Sequence, residues 1–367
     1  MKRCLFILLL LPALLYAEPL YSPTWGFYLD LPEGYEFTEG NGNDRFSFQN
    51  HQGAVVDIAV YQNVYQNVTQ LSRDIERRLG NKGDVASFEY GDKEAVLMEL
   101  VFMDYAGWGL CLELGGAANG ASAWMVALAY APEGKAGMDL YHLSALDSLA
   151  PSEKDRWRPG PIIEFTWPRG QLQEAPIAGT DLKTLIRQHD AQAAQSFVER
   201  EFALLRRYEF SLDWQEAWMR YYRAIYRDSR DRIADAVVRL ERNWNDGNTR
   251  AFAARALRFV QGFEYERDLA GSDFVNLVTA VTEGKGDCDS RAMLWATILN
   301  QADIPAAMMV SRDYSHAMGL ADIAGSGARF EAGGVQWLVA ETTGKVGVGL
   351  ISQDMSNTKL WLGVLFE

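Results

Sequence analysis

The sequence predicts an α+β protein with an N-terminal sheet domain, a helical middle segment and a C-terminal domain that combines helix and strand. Three observations support this fold class. Alternating apolar residues dominate the first 150 positions, and apolar residues at helical spacing dominate positions 181–258. Both patterns occur in 259–367, and a proline-rich stretch, 151–180, is predicted to be a connector.

Residues 1–17 are expected to be a secretory signal peptide rather than part of the fold. Lys2 and Arg3 precede an apolar run from Cys4 to Leu15, and Ala17 offers a small residue for cleavage. The run is too short for a typical membrane span, and polar sequence follows it. We therefore expect an exported protein, periplasmic or extracellular, with no stable membrane insertion after cleavage. An uncleaved anchor is the alternative.

The composition limits the classes of partner. Removal of the signal leaves 33 basic and 49 acidic residues, a formal net charge of −16. Such an acidic surface argues against nucleic acid and against anionic membranes. Cys111 lies in an apolar strand and is interpreted as a small buried hydrophobe, so Cys111 and Cys288 are expected to remain unpaired. No cofactor is expected.

The N-terminal domain, 18–150, is predicted to hold a sheet and at least one helix. Its predicted elements are a strand at 26–32, a hairpin of 45–49 with 54–61, a helix through 71–79, strands at 86–90, 95–102, 107–114 and 123–131, and a closing helix at 142–149. The pattern resembles PsbP-like domains. His142 is interpreted as a structural histidine with satisfied hydrogen bonds. This domain offers no catalytic constellation, and its functional interpretation is a substrate-recruiting or interaction module.

The middle segment, 181–258, is predicted to be helical from Asp181 onward. Trp214, Trp218 and Tyr222 follow one another at helical spacing, which is more typical of packing than of a ligand platform. The arginines of this segment alternate with acidic residues. They are expected to form a solvated, salt-bridged face rather than a basic groove.

Cys288 is the strongest candidate for a chemically active residue. Asp287 precedes it as a predicted N-cap, and an apolar helical pattern follows it. The unpaired N–H groups and the dipole of a helix N-terminus favour a thiolate, the nucleophilic form of cysteine. The negative charges of Asp287 and Asp289 have the opposite effect on the thiol pKa. A histidine base close to Cys288 would decide whether the thiolate or the protonated thiol is favoured.

His316 and Glu341 complete the candidate site. His316 begins one predicted strand, and Glu341 ends another, with a Gly- and Ala-rich reversal between them at 324–334. Antiparallel pairing would bring the start of the first strand close to the end of the second. A Cys-His-acid arrangement follows. Zinc ligation is the less favoured interpretation, because Asp287, Cys288 and Asp289 lack zinc-site spacing.

These residues carry a resemblance to a family. The last third of the chain resembles transglutaminase-like domains of the papain-like thiol hydrolase group. Such domains have Gly-x-Cys at a helix start, His-Ala on a strand, and Trp-x-x-x-Asp before Thr. The matching residues here are Gly286-Asp287-Cys288, His316-Ala317, and Trp337 followed by Glu341-Thr342. Three positions depart from the pattern: Glu341 replaces aspartate, Met318 replaces an aromatic residue, and Asp303 replaces the glycine before Ile304-Pro305.

The resemblance implies a papain-like fold and acyl transfer at a protein or peptide amide. Cys288 would be the nucleophile, His316 the base, and Glu341 the residue that orients the imidazole. The Cys288 backbone N–H would donate to the oxyanion, and Gln261 is a candidate second donor. Hydrolysis and cross-linking both remain open. The alternative is a non-catalytic exported binding protein that uses the same fold as a scaffold.

Overall fold

The computed structural model describes residues 19–114, 123–267 and 271–366, so the predicted signal peptide lies outside the described residues. The α+β class is confirmed. The strands are β1 Leu20–Tyr21, β2 Tyr28–Leu29, β3 Tyr35–Gly40, β4 Arg45–Asn50, β5 Val55–Gln62, β6 Val85–Tyr90, β7 Lys93–Phe102, β8 Tyr105–Leu114, β9 Ala123–Pro132, β10 Leu172–Pro176, β11 Lys183–Arg187, β12 Ala306–Ser311, β13 His316–Ala321, β14 Arg329–Ala332, β15 Val335–Ala340 and β16 Leu362–Val364. The helices are α1 Val68–Leu79, α2 Met138–Asp147, α3 Pro161–Thr166, α4 Asp190–Leu205, α5 Trp214–Arg232, α6 Ala234–Trp244, α7 Thr249–Gln261, α8 Leu277–Glu283 and α9 Cys288–Gln301.

The first large sheet is antiparallel, with strand order β3-β4-β5-β9-β8-β7-β6. Its two faces bury separate apolar clusters, one that includes Leu71 of α1 and one that includes Leu146 of α2. The predicted hairpin is present as β4 and β5. The strand expected at 26–32 is only the two-residue β2, and β3 is an additional edge strand. Five of its six residues are exposed, so it carries no alternating apolar signal.

The region around the predicted connector contains regular structure. Residues Glu153–Trp157 form a 3-10 helix, and α3 follows. The Asp147 carboxylate accepts the backbone N–H groups of Ile162 and Ile163, at 2.8 and 3.1 Å, and thereby caps α3. The expectation that the helical segment begins at Asp181 is wrong. Residues Lys183–Arg187 pair with β10 as a strand, and the first helix of this segment is α4.

Two of the arginines predicted to be solvated are buried. Arg232 is 3% exposed and pairs with Asp228 and Asp190, each at 2.9 Å. Arg220 is 4% exposed and joins α5 to the N-terminal sheet region. It donates to the Asp30 carbonyl at 2.8 and 3.0 Å, to Ser144 Oγ at 2.9 Å and to Glu201 at 3.2 Å. We call these four residues the Arg220 joint. The expected ion pairing holds for both arginines, but the expected solvation is wrong for them.

The second large sheet has strand order β14-β15-β13-β12-β16 and is antiparallel. Helix α9 packs against β12 and β13, and Trp295 at its centre is fully buried. Gly319 of β13 leaves room for this indole, because a Cβ there would lie 2.3 Å from the ring. The expected reversal at 324–334 instead contains β14, which forms a hairpin with β15. Among the described residues, no helix combines the length and the apolar character needed to cross a membrane.

Candidate active site

Cys288 is the first residue of α9, at the helix end that faces β13. Asp287 is the N-cap, as predicted, and its side chain accepts the backbone N–H of Ser290 at 2.8 Å. Gly284 ends the preceding helix, α8, with a left-handed backbone at φ 73°. Glycine adopts this conformation without the steric penalty that a side chain would bring. The chain thus turns sharply into α9, and the Cys288 side chain is 7% exposed.

A short backbone bridge brings Tyr265 to the thiol. The Glu264 N–H donates to the Gly284 carbonyl at 2.8 Å, and the Gly286 N–H donates to the Glu264 carbonyl at 3.0 Å. Tyr265 consequently lies beside Cys288 at the start of α9. Burial, followed by the charge of the nearby Cys288, raises the pKa of Tyr265 to about 12, so its hydroxyl remains a donor at neutral pH.

His316 and Glu341 lie together at the adjacent end of the second sheet. Strands β13 and β15 pair antiparallel, with Gly319 opposite Ala340. His316 Nε2 and Glu341 Oε2 are 2.8 Å apart. Ser315, directly before the histidine, has a left-handed backbone at φ 47°, which is uncommon for a residue with a side chain. Such strained positions cluster at functional sites.

The Glu341 carboxylate has hydrogen-bond donors on both oxygens. Oε1 accepts the Thr343 N–H at 2.7 Å, the Thr343 hydroxyl at 2.6 Å and the Gly344 N–H at 3.2 Å, while Oε2 faces His316. Burial acts to raise the pKa of Glu341, but the hydrogen bonds from His316 and Thr343 outweigh it and hold the pKa at about 2. Glu341 is therefore ionised at neutral pH and fixed in orientation.

Gln261 has a structural role rather than the expected oxyanion role. Its side-chain amide donates to the Glu341 carbonyl at 2.8 Å and to the Val346 carbonyl at 2.9 Å. An amide nitrogen carries two donors, so both are occupied. Gln261 anchors the loop that follows β15. Gln261, the candidate second oxyanion donor, is therefore occupied by main-chain carbonyls and not available for that role.

The Cys288 thiol is held between β13 and an acidic neighbour. The sulfur lies 3.3 Å from Asp289 Oδ1, and the Tyr222 hydroxyl donates to Asp289 Oδ2. Burial and then the charges of Asp289 and Asp287 raise the pKa of the Cys288 thiol well above its ordinary value. The backbone N–H of Ala317 opposes this by stabilising the charged sulfur. Burial and the acidic neighbours together favour the protonated form of the Cys288 thiol.

The same three residues offer ligand atoms to a cation. Donor atoms of Asp287, Cys288 and Asp289 lie within 4.8 Å of one another. However, Asp287 already caps α9 through Oδ1, and Asp289 accepts the Tyr222 hydroxyl. A soft sulfur between hard carboxylates matches neither a calcium site nor a structural zinc site. The contacts of Asp287 and Asp289 are better explained by their effect on the pKa of the Cys288 thiol.

Comparison with known proteins assigns no family to the chain. No protein-family model matches it, and no curated protein matches it either. The resemblance to transglutaminase-like domains therefore depends on the residues themselves.

Proposed function

We propose that the protein is an exported cysteine-dependent hydrolase or acyltransferase that acts on protein or peptide amides. Cys288 is the nucleophile, His316 the general base and Glu341 the residue that orients the imidazole. The observation that carries this proposal is the 2.8 Å contact between His316 and Glu341, at the start of the strand whose next residue, Ala317, directs its backbone N–H to the Cys288 sulfur. An ionised carboxylate on one imidazole nitrogen, with a thiol near the same strand end, supports nucleophilic catalysis.

The chemistry proceeds by covalent acyl transfer. Because Nε2 faces Glu341, Nδ1 is the ring nitrogen that takes the thiol proton. The sulfur attacks the amide carbonyl, and the backbone N–H of Cys288 and the Tyr265 hydroxyl donate to the oxyanion. The C–N bond then breaks, and the imidazolium returns the proton to the departing amine. The resulting thioester passes its acyl group to water, which releases an acid, or to another amine, which forms a new amide.

One observation favours a second candidate, a binding protein on the same scaffold. The Cys288 sulfur contacts the Asp289 carboxylate, and the thiol pKa is raised by burial and by the acidic residues on either side. A thiol that remained protonated during ligand binding would be a poor nucleophile. In that case, His316 and Glu341 would be a structural ion pair.

Turnover of a generic protein substrate separates the two candidates. The expected result is that casein is cleaved, or takes up a fluorescent primary amine, in the presence of the wild-type protein. Cys288→Ala should abolish both activities, whereas the matched control Cys111→Ala should retain them, because Cys111 is a fully buried strand residue. Activity that survives in folded Cys288→Ala would refute the proposal. Inactive wild type with an inert Cys288 would favour the binding protein.

A further inference from the structure

The loop before α5 exposes two large apolar side chains to solvent. Phe210 is 93% exposed and Leu212 is 98% exposed. We call these two residues the apolar loop. They contribute little to the folded core, because nearly their whole surface remains in contact with water. The two residues lie two positions apart in the chain and together form a small exposed apolar patch, a feature that interaction sites use.

Arg312 attaches the apolar loop to the turn that precedes His316. Its guanidinium lies 3.9 Å from Glu209 on one side of the loop and 6.0 Å from the centre of the Trp214 ring on the other. Arg312 opens the turn between β12 and β13, in which Ser311 pairs with His316. The apolar loop therefore lies at the rim of the candidate active site.

A row of aromatic side chains leads inward from this loop. The ring centres of Trp214 and Trp218 are 5.8 Å apart, and those of Trp218 and Tyr222 are 6.2 Å apart. Trp214 and Trp218 are half-buried, whereas Tyr222 is buried and donates to Asp289 beside the Cys288 thiol. We call the three the aromatic row. It is continuous from the exposed loop to the candidate nucleophile.

We infer that the apolar loop and the outer part of the aromatic row bind apolar side chains of an extended polypeptide substrate whose reacting amide lies at Cys288. The inference rests on the proposed function and specifies its substrate class. Trp214 and Tyr222 are two helical turns apart, a rise of about 12 Å. An extended peptide spans that distance with about three or four residues. The recognised apolar residues thus lie about three or four positions from the reacting amide.

The charges around the loop favour a peptide over a lipid surface. Glu209, Asp213 and Glu216 near the two apolar residues are balanced by Arg206, Arg207 and Arg312, and the chain as a whole carries a formal net charge of −14. The loop therefore has no excess of basic residues that would attract anionic lipid headgroups. A peptide segment can place its apolar side chains on Phe210 and Leu212 while its backbone remains hydrated.

Paired covalent probes test the inference. Two tetrapeptide chloromethyl ketones carry the same Ala-Gly next to the reactive group and differ only in the first two residues, Phe-Leu or Ser-Ser. Displacement of chloride by the Cys288 sulfur forms a thioether, which peptide mapping locates. We expect the apolar probe to react at least about tenfold faster than the polar probe, after each rate is divided by that of iodoacetamide.

The variants identify the surface responsible. Joint substitution Phe210→Ser and Leu212→Ser should remove the preference for the apolar probe, and Trp214→Ala should weaken it. Both loop residues are exposed, so these changes spare the core. The control Met103→Ser removes a side chain that is 79% exposed in the turn between β7 and β8, and it should retain the full preference. A preference that persists in the double variant would overturn the inference.

Two further measurements distinguish peptide recognition from an unreactive cysteine and from lipid binding. If Cys288 reacts with no probe, the proposed function fails, and tryptophan fluorescence titrated with the two corresponding peptide amides then decides on the surface alone. Equal affinity for both peptide amides would refute the recognition of apolar side chains by this surface. Sedimentation with vesicles of phosphatidylcholine and phosphatidylglycerol is expected to show no binding. Vesicle binding that the double variant abolishes would assign the loop to lipid and overturn the peptide interpretation.

Discussion

Replacement of Glu341 by glutamine should weaken Cys288 activation for a reason specific to its surroundings. The carboxylate accepts from Thr343 and Gly344 through Oε1 and faces His316 through Oε2. An amide has only one acceptor oxygen. If that oxygen stays with Thr343, the amide N–H₂ faces His316 and favours the tautomer with a proton on Nδ1. That tautomer cannot accept the thiol proton.

The expected magnitude follows from the lost charge. For unit charges about 4 Å apart, an effective dielectric constant of about 20 gives an attraction of about 4 kcal/mol. Even a third of this, about 1.4 kcal/mol, corresponds to a change of about tenfold in the equilibrium for proton transfer from Cys288 to His316. His316 would then hold the thiol proton less well, and the thiolate fraction at neutral pH should fall at least about tenfold.

Alkylation of Cys288 by iodoacetamide, measured across pH and mapped by peptide, reports this fraction. Glu341→Asp should be milder, because the charge remains and only the reach changes. Glu331→Gln is a matched control, since this exposed carboxylate lies on β14 of the same sheet and contacts Gln336 rather than the site. Circular dichroism checks that each variant folds. An unchanged pH profile in folded Glu341→Gln would show that Glu341 does not belong to the site.

Three further predictions concern the thiol, a buried histidine and a strained turn. Asp289→Asn removes a charge that raises the Cys288 pKa, so alkylation of Cys288 by iodoacetamide at neutral pH should accelerate about tenfold or more. The control Tyr222→Phe should produce no acceleration, and slower alkylation in Asp289→Asn would contradict the prediction. Burial lowers the pKa of His142 from 6.5 to about 4, so the unfolded chain binds a proton before the folded protein does, and the free energy of unfolding should fall as the pH is lowered from 6.5 to about 4. His142→Leu should remove this loss in urea titrations, and an unaltered pH dependence would refute the assignment. Asp303 has a left-handed backbone at φ 55°, which glycine adopts more readily than a residue with a side chain. Asp303→Gly should therefore raise the free energy of unfolding by up to about 1 kcal/mol, and Asp303→Ala should lower it. The opposite order would exclude backbone strain at this position.

The local pattern of the sequence was sufficient to predict the pairing of His316 with Glu341. Each residue lies at the end of a strand with a clear apolar pattern, and antiparallel pairing fixes which ends meet. The extra methylene of Glu341, compared with aspartate, is accommodated by the turn at Thr343 and Gly344. The N-cap role of Asp287 was likewise readable, because N-capping depends only on neighbouring residues.

The features that the sequence did not predict depend on contacts between distant segments. Tyr265 reaches Cys288 only because of the bridge between Glu264 and Lys285, two residues that no periodic pattern connects. The closeness of Asp289 to the sulfur depends on the rotamers of both side chains, which the sequence does not reveal.

His142 shows the same limit in the N-terminal region. The expectation that its hydrogen bonds are satisfied is wrong, because neither ring nitrogen has a partner in good geometry, although the Tyr130 main chain lies close enough to favour the proton slightly. A single polar residue on an apolar helix does not reveal whether its surroundings contain a partner. That information lies in the packing of α2 against β9.

Through the Arg220 joint, a substitution in the N-terminal region can change the surroundings of the Cys288 thiol. Arg220 and Tyr222 lie on the same helix, so a shift of α5 that followed the loss of an Arg220 partner would also move the hydroxyl that contacts Asp289. A missense change at Ser144 would then alter thiol reactivity without touching any residue of the site. The surroundings of Asp289 are thus connected, through α5, to the Asp30 carbonyl, 190 residues before Arg220 in the chain.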